Sequence, residues 1–120
     1  MNTEIYPIPA FNDNYIWIIR QGHNAVAVDP GQAEPVIRDL ESKELNLKGI
    51  LITHHHDDHT GGVRALVERY SAPVYGPAFE TRPIPCLNEG LAEGDTVRID
   101  GIDAEFEVLE VPGHTMGHIA

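Results

Sequence analysis

Hydrophobic and polar residues near the start of the chain follow the pattern of β-strands. Ile5 to Ile8 predicts a short strand, and Pro7 and Pro9 place it at a sheet edge, because proline has no N–H for a neighbouring strand. Tyr15 to Ile19 is aromatic and β-branched, and Ala25 to Val28 is the next apolar run. The short polar turn between these two runs predicts an antiparallel β-hairpin.

The middle of the chain alternates helical patterns with short apolar runs. We expect a helix to begin near Pro35, since Val36, Ile37 and Leu40 would share one face. Ile50 to Ile52 is continuous and apolar, as is typical of a strand covered on both faces. A second amphipathic helix has apolar residues at i, i+3, i+4 and i+7, namely Val63, Leu66, Val67 and Tyr70.

The remaining part of the chain predicts more strands and completes a mixed α/β pattern. Ala72 to Tyr75 forms a short strand, and Gly76 to Asn88 is a proline-rich loop. Alternating residues on both sides of the turn signal Asp100-Gly101 predict a hairpin within 94–111. The order is therefore β-hairpin, helix, strand, helix, strand and hairpin. The abrupt ending leads us to expect that residues 1–120 are the N-terminal part of a longer, truncated domain.

Composition narrows the classes of function. The chain has 120 residues and a net charge of −11, from 8 basic and 19 acidic side chains. Such a surface disfavours nucleic acid and anionic membranes, so neither is expected as a partner. No secretory signal is visible, and Cys86 is the sole cysteine, which fits a cytoplasmic protein. No sequence signal places a base beside Cys86, so a nucleophilic role is not expected.

A histidine-rich run, Thr53 to His59, follows the predicted buried strand directly. Ligand sites in α/β sheets gather at the carboxyl ends of strands. In an extended segment, His54, His56 and Asp58 share one side, and the turn into a helix near Thr60 can return His59 beside Asp58. Imidazole and carboxylate groups are ligands for borderline divalent metals. We therefore expect one ion at His54 and His56 and a second at Asp58 and His59, rather than a solvated polar loop.

Other residues have open or secondary roles. His114 lies in a glycine- and proline-containing loop after a strand and is a third candidate ligand, whereas His118 could be structural or could support a ligand. Asp29 could be a turn residue or the partner of a ligating histidine. Gly61 and Gly62 remove Cβ atoms where backbone must pass close to the site. Trp17 is most simply a core residue.

The chain resembles the metallo-β-lactamase superfamily and, within it, the glyoxalase II (hydroxyacylglutathione hydrolase) family. Three separated stretches carry the resemblance: Pro9 to Trp17, Thr53 to Gly62, and Val111 to His118. The superfamily fold is an αβ/βα sandwich with its metals at one edge of two facing sheets, and this chain would be its N-terminal half. The resemblance implies that His54, His56 and His114 bind a first metal, and that Asp58 and His59 bind a second.

The resemblance also implies a reaction. The site would hold two divalent ions, which would be zinc or else iron or manganese. Asp58, as a metal ligand, would position a hydroxide that bridges them, and this hydroxide would attack a thioester carbonyl. The substrate would be S-lactoylglutathione, cleaved to lactate and glutathione in methylglyoxal detoxification, by an enzyme that is monomeric at full length. The family's bridging aspartate and last histidine lie beyond His118 and are absent here, so this chain alone is expected to be inactive.

Three alternatives stay open. A persulfide dioxygenase of the same fold would use one iron and consume oxygen, and it shares the Asp58 and His59 positions. A metal-dependent nuclease is disfavoured by the charge of −11, which offers no basic track. The third alternative is a non-catalytic metal-binding or assembly fragment.

Overall fold

The computed structural model describes residues 3–11, 14–54, 56–78, 84–111 and 119–120, with backbone only for Asp57 and Asp58. Among these residues, no helix is long and apolar enough to cross a membrane. The elements in chain order are β1 (Thr3–Ala10), β2 (Asn14–Gln21), β3 (Asn24–Val28), α1 (Ala33–Ser42), β4 (Asn46–Leu51), α2 (Asp57–Thr60), α3 (Val63–Tyr70), β5 (Val74–Pro77), β6 (Glu89–Leu91), β7 (Thr96–Arg98) and β8 (Glu105–Glu107).

A six-stranded mixed sheet has the order β1-β2-β3-β4-β5-β6. Strands β1, β2 and β3 are antiparallel neighbours, so both the edge position of β1 and the first hairpin are confirmed. Strands β3 to β6 run parallel. The carboxyl ends of these parallel strands therefore meet at one edge of the sheet, which we call the carboxyl edge.

Apolar side chains cover the sheet on both faces. Helices α1 and α3 pack on one face through a cluster that includes Val36, Leu66 and Ile50, all fully buried. On the other face, the β7–β8 hairpin packs through a cluster that includes Val26 and Val97. The prediction that the Ile50 to Ile52 strand is covered on both faces agrees with this layering.

The second hairpin forms as predicted, and Asp100-Gly101 lies in a tight turn in which the N–H of Ile102 donates to the carbonyl oxygen of Ile99 at 3.0 Å. Residues 99–104 separate β7 from β8. The amide Nδ2 of Asn24 donates to the carbonyl oxygen of Gly101 at 3.0 Å, and Ile102 is buried among the core residues of this face. These contacts hold the connection against the β2–β3 turn, and the pairing of β7 with β8 begins at Arg98 and Glu105.

Two features of the sheet differ from what the sequence predicts. Strand β6 was not predicted, because Glu89-Gly90 lacks apolar alternation and pairs with β5 through its backbone. Trp17 is 45% exposed rather than part of the core. Its cross-strand partner is Pro7, and Tyr15 and Ile5 are also exposed. The β7–β8 hairpin therefore does not cover the part of this sheet face that β1 and β2 form.

Candidate metal centre

Two loops meet at the carboxyl edge of the sheet. Asp29 follows β3, and Thr53 follows β4 by two residues. The N–H of Asp29 donates to the carbonyl oxygen of Leu51 at 2.8 Å, which continues the β3–β4 pairing into the loops. Asp29 has φ of 52° in the left-handed region, where aspartate is among the more tolerated side chains. This turn points a buried carboxylate at the loop after β4.

The carboxylate of Asp29 holds two residues of the histidine-rich run. Its Oδ1 accepts from the backbone N–H of Thr53 at 2.8 Å, and its Oδ2 accepts from the Thr53 hydroxyl at 2.6 Å. Nδ1 of His59 lies 3.0 Å from the same Oδ2. Because an ionised carboxylate can only accept, Nδ1 of His59 must carry the proton.

Thr53 extends this network to His54. The hydroxyl has one hydrogen, which it donates to Asp29, so it accepts from Nδ1 of His54, 2.9 Å away. In their neutral forms, His54 and His59 therefore both carry their lone pair on Nε2. A hydrogen bond at one ring nitrogen that fixes the other as a metal ligand is the usual arrangement around bound histidines.

The three described histidines of the run lie close together. The ring centroid of His54 is 4.1 Å from that of His59 and 4.9 Å from that of His56. One ligand atom from each of Asp29, His54 and His59 falls within a 4.8 Å span. Clustered neutral imidazoles fit a borderline divalent ion such as zinc. Asp29 orients the two histidines, because its Oδ2 accepts from both Thr53 and His59.

The backbone after His56 differs from the extended segment expected. Helix α2 begins at Asp57 rather than near Thr60, and the N–H of His59 donates to the carbonyl oxygen of His56 at 2.9 Å. The Thr60 hydroxyl donates to the same carbonyl at 3.2 Å. The i, i+2, i+4 alternation therefore stops at His56, and a helical turn brings His59 back towards the sheet edge.

Three further residues were considered as ligands or as supports for a ligand, namely Asp58, His114 and His118. The side chain of Asp58 and all of His114 and His118 lie outside the described residues. The assignment of His114 to the first metal and of Asp58 to the second stays a prediction, and the role of His118 stays open. His23 is exposed in the β2–β3 turn, at a distance in sequence from the histidine-rich run.

The sequence interpretation gave no role to the Thr53 hydroxyl, and it left two roles open for Asp29. Both roles apply to Asp29, which forms a left-handed turn and also bonds a histidine. Once β3 and β4 are known to be neighbours, the position of Asp29 and Thr53 after these strands indicates that they meet. Neighbouring parallel strands end at the same sheet edge, so the polar residues after β3 and β4 can be expected to meet.

An apolar cavity of about 300 Å³ lies beside the site, between the sheet and the β7–β8 hairpin. Its lining includes Val28, Leu51 and Thr53, and it also includes Phe106 and Ile119. Thr53 belongs to the hydrogen-bonded network, and Val28 directly precedes Asp29. The cavity therefore extends from the carboxyl edge into the space between the sheet and the β7–β8 hairpin.

Comparison with known proteins agrees with this geometry. The metallo-beta-lactamase superfamily model matches residues 10–120. A hydroxyacylglutathione hydrolase of Hahella chejuensis is 55% identical over 119 residues, covering 98% of this chain and 45% of that protein. A hydroxyacylglutathione hydrolase of Nitrosomonas europaea is 49% identical over 116 residues, covering 97% of this chain and 44% of that protein. The chain thus spans less than half the length of these relatives.

Solved structures show the same fold. BLEG-1, a B3 metallo-beta-lactamase, superposes with a TM-score of 0.83 at 27% identity, covering 97% of this chain and 65% of that one. ETHE1 from Myxococcus xanthus superposes with a TM-score of 0.78 at 32% identity, covering 99% of this chain and 52% of that one. The fold expected from the sequence is confirmed, and the chain belongs to the metallo-beta-lactamase superfamily.

Proposed function

We propose that the polypeptide containing this chain is a metal-dependent hydrolase of glutathione thioesters, with S-lactoylglutathione as substrate and lactate and glutathione as products. The observation that carries the proposal is the network in which Asp29 fixes His59 directly and His54 through Thr53. It prepares two imidazoles as metal ligands at one sheet edge. The names of the relatives, hydroxyacylglutathione hydrolase, supply the substrate class.

The residues would divide between two ions. We propose His54, His56 and His114 for the first and Asp58 and His59 for the second, with zinc as the expected metal. When bound, such ions supply Lewis-acid chemistry, which lowers the pKa of water and polarises a carbonyl group. We also propose that residues 1–120 form the N-terminal part of a longer domain, which would provide the remaining ligands and the residues that bind glutathione.

The side chains of this chain have defined tasks in that reaction. Asp29 and Thr53 hold the two imidazoles in one tautomer and orientation, so their reorganisation on metal binding is small. His54 is 3% exposed, which keeps water away from its ring and strengthens electrostatic interactions at that point. Because a thiolate leaves readily, the site needs no general acid beside the leaving group.

The net charge of −11 bears on substrate binding. Glutathione thioesters are anionic, and an acidic surface repels them. Positive charge at the carboxyl edge would offset this repulsion locally, since bound ions are often the largest charges in a site. We therefore propose that metal loading supports substrate binding as well as the chemical step.

Thioester hydrolysis by the full-length polypeptide tests the proposal. The purified protein is assayed with S-lactoylglutathione before chelation, after chelation and after zinc is restored. We expect turnover to disappear with the metal and return with it. Unchanged turnover after complete metal removal would refute the proposal, and so would oxygen consumption with a persulfide in place of thioester hydrolysis.

A further inference from the structure

Gly62 is buried between α2 and α3, directly before the first residue of α3. Its N–H donates to the carbonyl oxygen of Pro30 at 2.8 Å. Pro30 directly follows Asp29, so this bond joins the segment of the metal-binding histidines to the segment of the carboxylate that holds them. The joint is formed by backbone atoms on both sides.

The joint has no room for a side chain. A Cβ atom at Gly62 would lie 2.5 Å from the nitrogen of Ala33, 2.6 Å from the carbonyl carbon of Gln32 and 2.7 Å from the oxygen of Pro30. Real Cβ atoms essentially never approach closer than 3.0 Å. The crowded atoms are all backbone and cannot rotate away. Since φ of Gly62 is −93°, which any residue adopts, space alone requires glycine here.

A methyl group at Gly62 would therefore have to move the neighbouring loop. That loop is held on its other side, because Oε1 of Gln32 accepts from the N–H of Phe11 at 2.8 Å. Asp29 is part of the same tight turn, in which the N–H of Gly31 donates to its carbonyl oxygen at 2.8 Å. Displacement of Pro30 would thus carry the Asp29 carboxylate away from His59, and that 3.0 Å contact tolerates little lengthening.

We propose that Gly62 is a positioning residue of the metal centre. Because Gly62 has no Cβ, its segment packs close enough to Pro30 for Asp29 to reach the histidines that Asp29 orients. The inference rests on the metal site of the proposed function and not on the thioester substrate. Disturbing the residues that orient metal ligands typically weakens metal binding by about 10- to 100-fold. We expect a loss of this size when Gly62 acquires a side chain.

The test is titration of the full-length apoprotein with Co²⁺, which reports both affinity and ligand geometry through its visible spectrum. Gly62→Ala and Gly62→Ser are compared with two controls. Gly61→Ala places the same methyl at the exposed neighbouring glycine. Gly49→Ala adds a methyl in the buried sheet, where it meets the Ile99 side chain at 3.0 Å.

We expect both Gly62 variants to bind Co²⁺ about 10- to 100-fold more weakly and with an altered spectrum, while both controls keep the wild-type spectrum. Gly62 is also the N-cap residue of α3. Serine is a better helix N-cap than alanine, so a capping role alone predicts that Gly62→Ser behaves like the wild type. Wild-type binding by either Gly62 variant would overturn the proposal.

A second measurement covers the case in which the Gly62 variants do not fold. Amide hydrogen exchange of the wild type is followed with and without Zn²⁺. If the joint and the metal centre are one unit, zinc slows exchange at Gly62, which donates to Pro30, together with Thr53, which donates to Asp29. Slower exchange at Thr53 with no change at Gly62 would contradict the proposal. Neither experiment depends on thioester hydrolysis, so a different substrate would leave the result intact.

Discussion

Oδ2 of Asp29 lies 3.0 Å from Nδ1 of His59, a contact between residues 30 positions apart in the sequence. It joins the loop after β3 to the helical turn after β4. Because the two parallel strands end at the same edge, a turn residue on one strand can orient a candidate metal ligand carried by the other. The metal centre is thus shared between neighbouring strands rather than confined to the histidine-rich run.

Asp29→Asn should weaken zinc binding by about 10- to 100-fold, because an amide cannot accept from His59 and from both Thr53 donors. Competition with a chromophoric chelator measures the change in the full-length protein. Asp95→Asn is the matched control, since Oδ2 of Asp95 also accepts a backbone N–H, from Ala92 at 2.9 Å, but in the β7–β8 hairpin region. Equal zinc affinity of Asp29→Asn and the wild type would remove Asp29 from the centre.

Thr53→Val should lower zinc affinity by about tenfold, whereas Thr53→Ser should stay close to the wild type. Valine keeps the shape of threonine and removes the hydroxyl between Asp29 and His54. The same chelator competition measures both variants. If Thr53→Val keeps the zinc affinity of the wild type, the hydroxyl is not needed and the relay to His54 is wrong.

The strands and helices were largely predictable because each depends on local patterning. The helix from Val63 to Tyr70 begins and ends where its apolar spacing indicates, and Pro7 correctly marks β1 as an edge. Strand β6 depends on backbone pairing with β5, so its own residues give no signal. The turn at Asp100-Gly101 was predictable from its own residues, but its hydrogen bond with Asn24 was not, because Asn24 lies 77 positions away in the sequence.

The site was predictable only where residue spacing along an extended chain determines which side chains are neighbours. Alternation along an extended chain pairs His54 with His56, but the helix that begins at Asp57 ends this regularity. The contact of His59 with Asp29 requires the strand order, which a single sequence does not display. The expectation that Gly62 allows a close backbone approach agrees with the structure, whereas Gly61 is exposed.

The free energy of unfolding should fall at alkaline pH because of a cluster formed by Tyr6, Asp39 and Lys43 on the helix-covered side of the sheet. Burial, and then the hydrogen bond to Asp39, raises the pKa of Tyr6, while the hydrogen bond to Asp39 raises the pKa of Lys43. Folding therefore favours neutral tyrosine and charged lysine. Their contribution is complete below the unfolded pKa values of about 10 and is lost as pH rises through the folded values.

Denaturant unfolding of the full-length protein between about pH 8 and pH 11 measures this effect. Tyr6→Phe should reduce the alkaline loss in the free energy of unfolding. Arg38→Met is the control, because it removes an exposed cation on the same helix that pairs with Glu34 at 3.9 Å. A Tyr6→Phe protein with the full wild-type slope would contradict the assignment.

The 120-residue chain alone should bind the dye ANS and self-associate, because the apolar β1–β2 end of its hairpin face is exposed. Fluorescence titration and sedimentation compare it with the full-length polypeptide, which should bind little dye and remain monomeric. Trp17→Ser and Tyr15→Ser should reduce dye binding by the short chain. Equal dye binding by both lengths would show that the longer polypeptide does not cover this face.

We propose above that thioester hydrolysis depends on metal held at the carboxyl edge by His54 and its neighbours. The most direct test is a zinc titration of the full-length apoprotein in which bound metal and S-lactoylglutathione turnover are measured in the same sample. Turnover should rise with bound zinc and level off near two ions per polypeptide, and His54→Ala should bind less zinc and lose turnover, unlike the surface variant His23→Ala. Wild-type zinc content and turnover in His54→Ala would contradict the account.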